Sequence, residues 1–100
     1  MLLYSNTALS DLLVLGAKIV AVENTQNVNG DSFVLTLSGG TGTCANSLVF
    51  FPVSAAGNFK EMHKRAYSSS LTALTTDINV DIHSFSDSTC NNASWIKLRK

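Results

Sequence analysis

Two cysteines, Cys44 and Cys90, constrain this chain more than any other residues in it. Cys44 follows a glycine-rich turn, and Cys90 sits in a loop of Ser, Thr and Asn. Structural free thiols are usually buried among apolar side chains, and neither position offers such surroundings. Two loop cysteines in a small domain therefore predict a disulfide, and with it an oxidising compartment, periplasmic or secreted. Closing a loop of about 47 residues stabilises a fold by about 4 kcal/mol in the chain-entropy model. That is a large share of the roughly 5–15 kcal/mol that keeps a domain folded. A chain of 100 residues has use for it, because one domain of this size buries under about 70% of its unfolded surface.

The first ten residues point to the same compartment. Met1-Leu2-Leu3-Tyr4 opens an apolar-to-polar run that ends Thr7-Ala8-Leu9-Ser10. Ala8 and Ser10 are small residues at the −3 and −1 positions of a signal-peptidase site. A basic n-region and a full apolar stretch are missing, so residues 1–10 read as the tail of a signal peptide, with 11–100 as a single domain. An ordinary first helix over residues 8–15 is the alternative. No later segment is long and apolar enough to span a membrane as a helix, so membrane insertion is not expected.

Hydrophobic residues make up 45% of the chain and charged ones 14%, which excludes a disordered polyelectrolyte. Net charge is zero, which gives no general reason to expect nucleic acid as a partner. Six of the seven basic residues nevertheless fall after residue 59, at Lys60, Lys64, Arg65, Lys97, Arg99 and Lys100. They are either solvated singly or gathered in one patch if the segments carrying them are neighbours.

Hydrophobic periodicity predicts five strands and one helix. Residues 17–25 are rich in β-branched side chains, and residues 32–38 alternate, with Phe33, Leu35 and Leu37 on one face. The intervening Asn27-Val28-Asn29-Gly30-Asp31 is the chemistry of a tight hairpin. Gly39-Gly40-Thr41-Gly42 ends that strand. Residues 47–51 are apolar on both faces, which predicts a central strand closed by Pro52. A helix is expected from Asn58, as N-cap with Glu61 in capping-box position, to about Thr75. Its buried face would carry Phe59, Met62, Ala66, Ser70 and Ala73, widened by Tyr67, Leu71 and Leu74. Residues 78–85 and 93–99 complete the set, with Val80, Ile82, Ile96 and Leu98 inward and Asp81 and His83 outward. The order β-β-β-α-β-β defines an α+β chain, as either a five-stranded antiparallel OB-like barrel or an open sheet with the helix between strands three and four.

From Asp11 onward the chain resembles a family of small, exported proteobacterial proteins to which no activity attaches. The likeness rests on DLLVLGAKI (residues 11–19), GGTGTCA (39–45), Phe51-Pro52, KRAYSSSLTAL (64–74) and Cys90 with residues 93–98. At the level of strand order and the cysteine pair it is also similar to the OB-fold B subunits of bacterial toxins. That resemblance implies pentamers that bind cell-surface glycans, but no sugar-contacting residue aligns and fold does not set function.

No motif commits to a chemistry. The glycine run lacks the Gly-Lys-Ser/Thr and the helix of a phosphate loop, so it reads as a turn. Cys44 with His63 or His83 fails as a nucleophile and base once the thiol is oxidised. His63, His83, Glu61 and Asp81 lack metal-ligand spacing, so neither metal nor cofactor is expected. Trp95 is the exception worth following. With Ile96 and Leu98 inward, alternation sets the only tryptophan beside Lys97 and Arg99 on the outward face, an aromatic platform with charged neighbours, unless both faces of that strand are covered. Trp95, Lys97 and Arg99 are thus the candidate binding surface. The expected function is a non-enzymatic exported binding module, for glycan or protein, that self-associates. A periplasmic structural protein, inhibitor or assembly partner is the alternative, and a small hydrolase ranks last.

Overall fold

The computed structural model describes residues 11–27, 30–86 and 88–100. The expected signal-peptide tail lies outside them, as do the two residues at the tip of the first hairpin. The first strand is longer than its β-branched stretch suggests. It runs over Asp11–Asn27 (β1), and its residues 11–15 are extended, not helical. Gly30–Ser38 (β2) returns from it, with Asn27 opposite Gly30. Leu48–Pro52 (β3) follows, then a 3-10 turn at Val53–Ala56 and the helix Lys60–Thr76 (α1). Asn79–Ser84 (β4) and Trp95–Arg99 (β5) end the chain. All pairings are antiparallel, in the spatial order β3-β2-β1-β4-β5.

The length of β1 lets it serve two neighbours: residues 11–17 pair with β4 and residues 18–27 with β2. Three irregularities bend it on the way. One extra residue against β4 at Leu13 resets the inside–outside alternation, which is why adjacent Leu13 and Val14 are both fully buried. A second bulge sits at Leu15–Gly16, where Gly16 takes φ +75°, and a third leaves Val20 exposed between Ile19 and Ala21. Core side chains of β1, β2 and β4 meet on the concave side, among them Ile19, Leu35, Val80 and Ile82.

The prediction of a central third strand is overturned, because β3 lies at the sheet edge. The free side of β3 meets the segment ahead of β5, where Phe50 N–H donates to Cys90 O (2.8 Å) and Ala93 N–H donates to Phe50 O (3.0 Å). Cys44 and Cys90 are disulfide-bonded at the same place, with Cα atoms 5.8 Å apart. No ladder joins β3 to β5, so the sheet is open, but these contacts bring its two edges together at one point. Residues 39–42 end β2 as expected, but they form a bend that bridges to β1, and the turn itself lies at residues 43–46. A Cβ on Gly40 would lie 2.9 Å from Val14 Cγ2, and one on Gly42 2.8 Å from Leu13 O. Bare glycine is what lets this segment lie against β1, where Thr41 bridges Leu15 and Cys44 N–H reaches Leu13 O.

The capping box also fails. Phe59, not Asn58, occupies the N-cap, no side chain caps the first turn, and Glu61 instead pairs with Lys64 at 3.2 Å. Asp77 ends the helix in the left-handed conformation. Ala66, Ser70 and Ala73 are buried as expected, the Ser70 hydroxyl donating to Ala66 O within the helix. Phe59, expected on that face, is 63% exposed, and Leu71 and Leu74 are at the surface. Small residues make the central contact of α1 with the core, Tyr67 packs edge-on against Phe33 beside them as expected, and Phe59, Leu71 and Leu74 stay at the surface.

Candidate binding surface

Strand register assembles the outward face of β4 and β5. His83 stands opposite Trp95, Asp81 opposite Lys97 and Asn79 opposite Arg99. Directly opposed residues share a face, so the three predicted surface residues meet Asp81 and His83 there.

One end of this face is structural. Asp81, expected outward, is only 3% exposed. Its Oδ1 accepts the Gly16 N–H at 2.8 Å and its Oδ2 accepts Arg99 Nε at 2.8 Å. The bulge in β1 turns the Gly16 N–H out of the ladder, and Asp81 satisfies it. Burial works to raise the carboxyl's pKa, but the hydrogen bonds from Arg99 and Gly16, with the charges of Arg99 and Lys97, hold it below its ordinary value. Arg99 is therefore committed to Asp81 and is withdrawn from the candidate surface. Lys97 is exposed.

The other end is aromatic. Trp95 is neither core nor freely exposed: it is half-buried and stacked on His83, with ring centroids 4.6 Å apart and planes 10° from parallel. Phe85 tilts against Trp95 at 4.9 Å, and Phe59, on the approach to α1, reaches Phe85 at 6.4 Å. Burial is the main force lowering the pKa of His83; Asp81 opposes it and Lys97 reinforces it. The imidazole is thus held neutral, and its buried Nδ1 has no hydrogen-bond partner among the described residues.

Two buried serines place Phe85. The Ser94 hydroxyl accepts the Phe85 N–H (2.9 Å) and donates to Ala55 O of the 3-10 turn (2.9 Å), while Ser94 N–H donates to His83 O (2.8 Å). The Ser84 hydroxyl donates to Asn92 O (2.7 Å) and accepts the Ser86 N–H (3.2 Å). Strand β4, the loop before β5 and the 3-10 turn are tied together through these hydroxyls, and between them lies a cleft of about 540 Å³. Phe59 and Phe85 line it together with Ser54, Gly57, Ser86 and Asn92. A second depression runs past Phe59 along Lys60, Met62 and Arg65, and a third lies between α1 and β5, lined by Met62, Arg65, Trp95 and Ile96. Phe59 borders the first two, and Met62 and Arg65 border the last two. Sharing these side chains as walls, the three depressions lie side by side around the start of the helix as a divided groove.

Of the predicted surface residues, the structure brings only Trp95 to this groove. Among the basic residues, Lys64 pairs with Glu61 and Arg99 with Asp81, whereas Lys60 and Arg65 line the groove without an ion pair among the described residues. Sequence reasoning missed Phe59 and Phe85. Each follows a break, Gly57-Asn58 and the end of β4, and an apolar residue next to polar punctuation was the signal available. Among the described residues no three His, Cys, Asp or Glu side chains gather to hold a metal ion, and no helix is long and apolar enough to cross a membrane.

Fold and surface together define a class: an α+β domain with one disulfide, an OB-like strand order left open as a sheet, and an aromatic groove where the helix start meets the last two strands. Within that class, the chain belongs to a family of unknown function (DUF5992), whose model matches residues 1–100. No curated protein and no solved structure matches it.

Proposed function

We propose that this protein is an exported, non-enzymatic binding module that holds a glycan in the groove around Phe59, Phe85 and Trp95. The observation that carries the reading is the pair of rings at the cleft mouth, Phe59 at 63% and Phe85 at 40% exposure. Full burial of such a side chain is worth roughly 1.5–3 kcal/mol, which a ligand laid over the rings recovers in part. The polar groups between them are the neutral Ser54, Ser86 and Asn92. A sugar offers apolar C–H faces to the rings and hydroxyls to these groups, the mixture of apolar wall and few polar contacts that small-ligand sites use. The disulfide supports export, since such bonds persist in oxidising compartments. Self-association belongs to the same proposal, motivated by the exposed Leu12, Leu15 and Val20 on β1.

A second reading has its own observation. Trp95, Met62, Arg65 and the two phenylalanines are residue types enriched where proteins meet, which favours an inhibitor or assembly partner that grips another protein. A glycan array, a pull-down from envelope extract and sedimentation, each run on wild type and on Phe59→Ala/Phe85→Ala, separate the two. We expect array binding by wild type that the double variant loses at unchanged melting temperature. A blank array with a protein captured by wild type alone transfers the surface to the second reading. A blank in both, from a monomer, removes both.

A further inference from the structure

We infer that the groove selects acidic saccharides, chains whose rings carry a carboxylate, as uronic acids do; the inference rests on the glycan reading above and narrows it. Aromatic and cationic side chains alternate across the neighbouring depressions of the groove. Its first stretch has aromatic walls and neutral polar contacts, and its last ends on the Trp95 ring; between them stand Lys60 and Arg65. The acid in that middle stretch, Glu61, is already held by Lys64 at 3.2 Å. Asp81, two positions before His83 on β4, is spent on Arg99 and Gly16. The groove therefore keeps a guanidinium and an ammonium without an anion among the described residues, on a chain whose net charge is zero.

A guanidinium forks onto a carboxylate through two parallel hydrogen bonds. One arginine and one lysine suit the single charge of a carboxylate better than the higher charge of a phosphate. Rings at both ends with cations between them match a polymer that repeats an apolar ring face and a carboxylate along its length. Each depression, about 540, 450 and 290 Å³ in turn, is of the size that holds a small ligand. Depressions that share side-chain walls suit more than one sugar unit of a chain.

The test is calorimetric titration of the oxidised protein with galacturonate and mannuronate trimers, against the neutral galactose and mannose trimers. The expected result is uronate binding at least about tenfold tighter than its neutral counterpart, narrowing as salt is raised from about 0.05 to about 0.3 M. Arg65→Gln, at an exposed position, should abolish that ratio while keeping the melting temperature. Phe59→Ala should weaken acidic and neutral trimers alike. Equal affinity for the two kinds, or a ratio that survives Arg65→Gln, overturns the acid selection and leaves the glycan reading standing. If no trimer binds, the inference is overturned as well; the glycan array then decides whether the broader reading falls with it, as it does when the groove engages only a protein.

Discussion

The described residues hold two aromatic clusters of nearly the same design, and only one of them is finished. In the core, Phe33 stacks on Phe51 with centroids 4.6 Å apart and planes 8° from parallel, and His63 and Tyr67 of α1 each lie 5.2 Å from Phe33. At the surface, His83 stacks on Trp95 at the same 4.6 Å, and Phe85 and then Phe59 continue outward. The polar atoms differ. His63 Nε2 lies 2.9 Å from Phe51 O, and the Tyr67 hydroxyl accepts a hydrogen bond from Asn24, whereas Nδ1 of His83 has no partner among the described residues. Burial differs too: Phe33 and Phe51 are at most 2% exposed, while Phe59 and Phe85 stand in water. A helix laid across the first ring pair completes it, and nothing among the described residues does the same for the second. The comparison teaches that aromatic stacking alone does not distinguish core from site; what distinguishes them is whether the protein satisfies the cluster itself.

Substitutions probe that contrast. Phe33→Ala removes the centre of the finished cluster and should lower the unfolding free energy by about 3–5 kcal/mol in a denaturant titration. A loss under about 1 kcal/mol would erase the distinction. Trp95→Ala, from a half-buried stack, should cost about 1–2 kcal/mol by the same measurement. His83→Phe keeps a ring against Trp95 and deletes the unpartnered nitrogen, so stability should rise by about 1 kcal/mol; a fall would show that the nitrogen is satisfied after all.

The same variant sharpens the pH behaviour. The fold holds His83 neutral below its ordinary pKa of 6.5, so its contribution is complete above that value and lost as pH falls through the lowered one. The melting temperature of wild type should decline from about pH 7 to about pH 5, and that of His83→Phe should decline less. Asp81, also lowered, gives an acid limb below 3.8 that both proteins should share. The smallest effect is expected of Phe59→Ala, within about 0.5 kcal/mol of wild type, because the ring has little to lose by leaving the surface. A larger change would mean that Phe59 belongs to the core.

How far the chain could be read in advance follows from where the information is local. The alternation of Phe33, Leu35 and Leu37 decided which face of β2 is inward, and Cys44 and Cys90 announced their bond through loop settings. The element order was legible for the same reason. What was not legible depends on contacts distant in sequence. The edge position of β3 was hidden because its side chains are apolar on both faces, although of residues 48–51 only Val49 and Phe51 are fully buried and Leu48 is 52% exposed. Asp81 read as a surface acid because the groups that bury it, Gly16 and Arg99, come from strands at the two ends of the chain. Trp95 was found by alternation, but its partners Phe85 and Phe59 sit in irregular segments, where no period applies.

The disulfide has one further consequence. It fastens residues 90–93 against Phe50, the place where the two borders of the sheet meet. If the bond is reduced, that segment keeps its hydrogen bonds to Phe50 and, through Asn92 O, to Ser84, but loses its covalent tie. Wherever it lifts away, β3 can offer its freed amide and carbonyl groups to another molecule. Reduction should then show first as concentration-dependent light scattering, ahead of any loss of circular dichroism, so the bond guards against polymerisation as well as unfolding.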